Sequence, residues 1–205
     1  MENIFVVNFK VESEAYQAMT EMRQDPVNDS CTVSQAFLVK KSGTQVSVLD
    51  EFDTGIETAN DSGIGGLVGS LVGIVGGPLG ILLGGSLGFM VGNLVDASDA
   101  LDNASLIEKV CEAISDGETA MIALVSEKTP ESFGARLGKF NADVLSFDAA
   151  EVAAEVAEAE ELEREMQKEA RKKLREEKKE AFEKKVDEQR KKIGESFENL
   201  KNKIS

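Results

Sequence analysis

Short apolar runs and amphipathic segments alternate along the first part of the chain and predict strands and helices in turn. Residues 3–9 form a β-rich run, and residues 13–24 repeat apolar positions at helical spacing. Residues 32–40 and 45–52 alternate polar and apolar positions around a Ser-Gly-Thr turn, which is typical of a β-hairpin. The pattern therefore predicts a strand, a helix and a hairpin.

The same kind of pattern resumes after an uncharged insert. Residues 99–115 carry one apolar helical stripe, residues 119–126 are largely apolar, and residues 143–147 predict a short last strand. Thr129 is followed by proline and predicts the start of a further helix, which should run to about residue 140. The order β-α-β-β, insert, α-β, α-β predicts an α+β fold with a ferredoxin-like core.

The insert, residues 62–95, has no charged residue and holds 12 of the 18 glycines. Its glycines recur every four residues and form a ridge along each helix that lets two backbones approach closely, as in a glycine zipper. The break at Gly76, Gly77 and Pro78 predicts a turn between two helices. The predicted helix-packing residues are Gly65, Gly69, Gly73, Gly76, Gly80, Gly84, Gly88 and Gly92.

The predicted helical hairpin could be buried in any of three environments: a lipid bilayer, an interface between subunits or the core of the monomer. Glycine is a poor helix former in water, so the hairpin needs lipid or a closely packed partner. The absence of charge favours a bilayer, although arms of about 20 and 25 Å are short for a hydrocarbon core of about 30 Å. The alternative is a dry contact between subunits of a soluble oligomer, and the core of the monomer ranks third.

Residues 149–205 predict one long charged helix, because they contain no proline, one glycine and many Ala, Glu, Lys and Arg residues. A thin apolar stripe with mixed charges around it favours coiled-coil or lateral self-association, and the alternative is a solvated helix without a partner. The residues predicted to make this contact are Phe182, Val186, Ile193, Phe197 and Leu200.

Three segments resemble an uncharacterised bacterial family of predicted membrane proteins: the start NIFVVNF, the glycine run over residues 63–92 with its Gly-Pro break, and TAMIALVSEKTPE. In that family a ferredoxin-like domain carries an uncharged, glycine-rich insert after its third strand. The resemblance covers about residues 1–148 and implies this architecture and a location at a membrane. It implies no reaction, because the family has no assigned catalytic residues.

The predicted domains are a body of residues 1–61 and 96–148, the hairpin insert of residues 62–95, and the tail of residues 149–205. The body has its own predicted core, so a chain cut after Asp148 should leave it folded.

The net charge and the types of side chain present argue against several classes of function. The net charge is −15, and residues 1–149 carry 8 Lys and Arg against 22 Asp and Glu, which argues against nucleic acid as a partner. There is no histidine, and the only cysteines, Cys31 and Cys111, are far apart and predict buried thiols. No phosphate-binding motif or paired nucleophile and base occurs, so we expect no enzyme, cofactor, metal site or identifiable small-molecule substrate.

The sequence thus predicts a non-enzymatic, structural homo-oligomer that associates with a membrane or inserts into it, with its body in the cytoplasm. The alternative is a soluble, self-assembling particle or filament in which the hairpins form a dry core. A weaker third possibility is an oligomer that binds a small molecule.

Overall fold

The computed structural model describes residues 1–56, 66–77, 80 and 105–204, and within residues 177–204 it describes the side chain of Lys185 alone. The chain divides into two compact units, Met1–Glu160 and Glu161–Ser205. The first unit contains all the described strands, and the second consists of the greater part of one helix.

Ten described elements make up the fold, which is α+β as predicted. The strands are β1 (Glu2–Phe9), β2 (Cys31–Ser42), β3 (Gln45–Asp53), β4 (Thr119–Glu127) and β5 (Ala142–Asp148). The described helices are α1 (Glu12–Gln24), α2 (Gly66–Gly76), α3 (Leu106–Ala113), α4 (Ser132–Leu137) and α5 (Ala149–Ile204).

The five strands form one antiparallel sheet in the order β3-β2-β4-β1-β5. A ferredoxin-like sheet places its third strand between the first and the second, whereas here β4 lies between β1 and β2. The ferredoxin-like arrangement is therefore not confirmed. Burial explains the order: residues 119–125 of β4 are all buried and need a central position, whereas β3 is largely exposed and suits an edge.

Helices cover both faces of the sheet, and each central strand contributes side chains to two cores. Along β1, Ile4 and Val6 belong to one core, and Phe5 and Val7 belong to the other, because successive side chains of a strand point to opposite faces. Helices α1 and α4 contribute to the core that contains Phe5. Helices α2 and α3 and the first turns of α5 contribute to the core that contains Ile4.

The first turns of α5 belong to the body. Ala149, Val152, Val156 and Ala159 are buried in the same core as α2 and α3. The first compact unit accordingly ends at Glu160, further along the chain than the boundary after Asp148 expected from the sequence. Small apolar residues at helical spacing are easily taken for the surface of a solvated helix when charged residues surround them.

Candidate functional site

Helix α2 is the described part of the glycine-rich run, and it packs on the sheet of its own chain. It contacts β2, β3, β4 and α3. Burial of one aliphatic side chain stabilises a fold by about 1.5–3 kcal/mol, so this contact contributes substantially to the body. The monomer core thus covers the apolar face of this arm. The buried side chains of α2 are Leu67, Val68, Leu71, Val72, Ile74 and Val75.

Two of the predicted helix-packing glycines, Gly69 and Gly76, allow α2 to approach the β2–β3 hairpin. A Cβ atom at Gly69 would lie 3.4 Å from Cζ of Phe37, and one at Gly76 would lie 3.3 Å from the carbonyl oxygen of Val46. Gly73, between them along the helix, would place its Cβ in open space, with nothing within 4 Å. At Gly69 and Gly76 the closely packed partner is therefore the chain's own hairpin.

Gly80 lies against the end of α2, and it is buried. A Cβ atom there would lie 2.0 Å from the carbonyl oxygen of Val75, closer than any real contact, so the position requires glycine. Helix α2 ends at Gly76, the first residue of the predicted turn, and the amide of Gly77 donates a hydrogen bond to the carbonyl of Ile74. The other predicted residues of the insert, Gly65, Pro78, Gly84, Gly88 and Gly92, lie outside the described residues.

A buried glutamine of the sheet holds the beginning of α2. Oε1 of Gln35 accepts a hydrogen bond from the amide of Val68 at 3.2 Å, and Nε2 donates to the carboxylate of Asp53 at 2.9 Å. Gly66 has a φ of +63°, and it lies so close to the side-chain amide of Gln35 that any side chain at position 66 would overlap that group. The first amides of a helix have no partner within the helix, and Gln35 supplies one from outside.

Helix α3 is capped from two sides at its beginning. Ser105 and Glu108 form a reciprocal capping box. In addition, the two carboxylate oxygens of Glu155, on α5, accept hydrogen bonds from the amides of Leu106 at 2.9 Å and Ile107 at 3.1 Å. A carboxylate at a helix N-terminus also interacts favourably with the helix dipole, so Glu155 links the start of α5 to the body.

Polar side chains from two strands hold the end of α3. Asn8 is buried; its Nδ2 donates to the carbonyl of Ala113, and its Oδ1 accepts from the amide of Ser115. The ammonium of Lys41 donates to the carbonyl of Cys111 at 2.8 Å. Sequence reasoning missed Asn8, Gln35 and Glu155, although a polar residue within an apolar strand is the signal that could have revealed the first two.

The thiols do not form a reactive site. Cys31 and Cys111 are buried and free, as predicted, and they belong to the cores on opposite faces of the sheet. Burial raises the pKa of Cys111 to about 11 against the opposing effect of the Lys41 charge, so the group is a thiol at neutral pH. A pocket of about 10 Å³, lined by Lys41, Thr44, Val46, Val75, Gly80 and Cys111, has room for one water molecule.

The second unit continues α5 and exposes large apolar side chains. Leu162 is 48% exposed, Met166 42% and Leu174 52%. The residues predicted for self-association, Phe182, Val186, Ile193, Phe197 and Leu200, lie within α5, but their side chains lie outside the described part of the structure.

The described part of the chain contains neither a candidate metal site nor a helix suited to cross a membrane. In that part, no cluster of three or more Cys, Asp or Glu side chains is arranged to hold a metal ion. Over the same residues, every helix is too short or too polar to cross a membrane.

The comparisons with known proteins concern the region just described. Residues 63–155 match the family model "Protein of unknown function (DUF1269)". The DUF1269 match covers less than half of the chain and extends from the glycine-rich run to Glu155, the residue that caps α3. The resemblance inferred from the sequence is thus confirmed as similarity to a domain of unknown function, over a different range from the expected residues 1–148. No curated protein and no solved structure matches the chain.

Proposed function

We propose that this protein is a non-enzymatic structural protein that forms homo-oligomers, and that helix α5 joins the copies. The apolar stripe of α5 carries this proposal. In the first unit the body buries the stripe at Val152 and Val156, and in the second unit the stripe continues at Leu162, Met166 and Leu174, which are exposed. Single exposed apolar residues are normal on a monomer, but three at helical spacing on one helix favour a partner.

Charge favours another copy of α5 as that partner. Residues 161–205 carry 15 Lys and Arg against 12 Asp and Glu, whereas residues 1–160 carry 8 against 26. Two bodies brought together repel each other, while two second units can pair opposite charges along their helices. Further along α5 the sequence contains a denser set of apolar residues that fits the same contact: Phe182, Val186, Ile193, Phe197 and Leu200.

The non-enzymatic part of the proposal is supported by the chemistry of the side chains. The chain has no histidine, and the two thiols are buried. The raised pKa of Cys111 keeps it in the form that is a poor nucleophile.

Replacement of the three exposed apolar residues by glutamine tests the contact. We expect Leu162→Gln, Met166→Gln and Leu174→Gln together to lower the mass measured by sedimentation equilibrium. The far-ultraviolet helical signal should persist, because glutamine is a good helix former. Glu161→Gln, Lys168→Gln and Arg175→Gln, on the opposite side of the helix, are the matched control and should leave the mass unchanged. Equal masses for the two variants would contradict a role of the stripe in assembly.

Membrane association is a second candidate, and the 34-residue uncharged run favours it. Because the sheet covers the apolar face of α2, a membrane-associated protein would contact lipid through the part of the uncharged run that follows α2. The body would then lie on the cytoplasmic side. The corresponding soluble alternative is a particle or filament in which that part packs between subunits.

Flotation of the full-length protein with liposomes separates these two candidates. A membrane-associated protein should float in high salt as well as in low salt, because the acidic body provides no electrostatic attraction to anionic lipid. Ile81→Glu with Leu83→Glu places two charges in the run and should abolish flotation. If the unmodified protein stays at the bottom of the gradient while forming oligomers, the membrane candidate is wrong and the soluble one is supported.

A further inference from the structure

Among the described strands, β3 and β5 lie at the two edges of the sheet, and the two edges differ in how they are protected. Strand β3 carries the carboxylates of Asp50, Glu51 and Asp53, and its pairing with β2 contains a register shift. Charges and irregularities of this kind prevent another strand from adding to an edge. Strand β5 pairs with β1 in an unbroken register, and its two carboxylates, Asp143 and Asp148, lie toward its ends. The stretch of residues 144–147 between them is uncharged and contains no proline, so it is open to pairing with another strand.

Strand β5 also exposes apolar side chains on both faces of the sheet. Val144 is 37% exposed and Leu145 46% exposed, and they point to opposite faces because they are adjacent in a strand. A strand added beside β5 would bring neighbouring side chains against both residues. Such an addition would also pair the backbone groups of β5 that no described strand pairs.

We propose that β5 is a dimer interface, in which the β5 strands of two copies pair antiparallel about a two-fold axis and join their sheets into one. The proposal rests on the proposed homo-oligomer but uses a different element from α5. A two-fold contact brings the same surface of both copies together, and an antiparallel pairing of one strand with itself meets that condition.

The charges of β5 select the register of this pairing. With Leu145 on the axis, Asp143 lies opposite Phe147, and Asp148 lies opposite Ala142. No carboxylate then faces another across the interface, which matters for a body with a large excess of acidic residues. Lys10 forms an ion pair with Asp143 at 2.9 Å, which reduces the repulsion further.

Cysteine cross-linking of the full-length protein tests the register. The background is Cys31→Ala with Cys111→Ala, so that the introduced thiols are the only ones. Leu145→Cys faces itself across the axis and should shift the protein from the monomer band to a dimer band on a non-reducing gel. Val144→Cys is the matched control: it should stay monomeric alone and form dimers only when mixed with Ser146→Cys. Equal cross-linking of Val144→Cys and Leu145→Cys alone would overturn the proposed register.

A charge exchange provides a second test that needs no disulfide geometry. The side chain of residue 145 is about half exposed, so Leu145→Lys and Leu145→Glu should fold. Both variants are made in the protein that also carries the three glutamine substitutions, which remove the α5 contact. Each variant alone places like charges on the axis, so it should lose the β5 dimer and sediment as a monomer. An equal mixture of the two should recover the dimer. If both variants retain the dimer, or if the mixture fails to restore it, β5 does not form this interface, whether or not α5 does.

Discussion

Gly73 and Gly80 belong to the two predicted glycine ridges, one on each helix of the predicted hairpin, and their surroundings are opposite. A side chain at Gly73 would meet nothing within 4 Å, whereas one at Gly80 would overlap the carbonyl of Val75. The four-residue repeat alone gives all the glycines one role, that of an interface between helices. In the structure the requirement for glycine is set separately at each position by the atoms that lie nearest to it.

Alanine substitutions at these two positions should change stability in opposite directions. Gly73→Ala should raise the free energy of unfolding by about 0.5–1 kcal/mol, because alanine is the better helix former and its methyl group has space. Gly80→Ala should lower it by about 1–3 kcal/mol, because the backbone must move. Urea unfolding of the full-length variants measures both. Destabilisation by Gly73→Ala together with a fall in oligomer mass would show instead that Gly73 packs against another subunit.

Helix α5 serves two purposes along its length, and the first of them lies in the body. Its first turns place Val152 and Val156 in the core, and the carboxylate of Glu155 caps α3. A chain that ends after Asp148 loses all of these contacts. We therefore expect the body to need the helix as far as Glu160, where the first compact unit ends.

Two truncations test this boundary. A chain ending at Glu160 should unfold cooperatively with nearly the stability of the body in the full-length protein. One ending at Asp148 should lose several kcal/mol or fail to fold, because loss of a buried Val or Leu side chain alone costs about 2–5 kcal/mol. The measurement is urea unfolding followed by near-ultraviolet circular dichroism. Equal stability of the two truncated chains would show that the start of α5 is dispensable.

The strands and helices were predictable because their signals are local. The alternation in residues 32–52 specified the hairpin, and the composition of residues 149–205 specified the long helix. The order of the strands was not predictable in the same way, since a hairpin can lie on either side of its neighbours. The fully apolar β4 was the best indication of a central strand.

The contacts that hold α2 and α3 are less visible in a sequence. Gln35 and Glu155 cap helices that lie far from them along the chain, so no local pattern marks them. The glycine repeat predicted a close partner, but periodicity cannot say whether that partner is another subunit or the same chain. The β2–β3 hairpin, packed against Gly69 and Gly76, is such an intramolecular partner.

At the scale of the whole molecule, the proposed contacts through α5 and β5 would act together. Each joins like surfaces of two copies, and a chain with two different contacts of this type forms either a closed assembly of dihedral symmetry, the smallest of which is a tetramer, or an open filament. The acidic body limits other contacts between copies, because residues 1–160 hold 26 Asp and Glu against 8 Lys and Arg. Assembly should therefore depend on these two elements rather than on general surface attraction.

Sedimentation equilibrium of the purified full-length protein tests the central claim, that the chain assembles with copies of itself. The chain has a mass of 22.1 kDa, so the account predicts a multiple of that mass, which decreases toward a dimer when Leu162, Met166 and Leu174 are replaced by glutamine. A single species of 22.1 kDa over the whole measurable concentration range, with α5 fully helical, would contradict it.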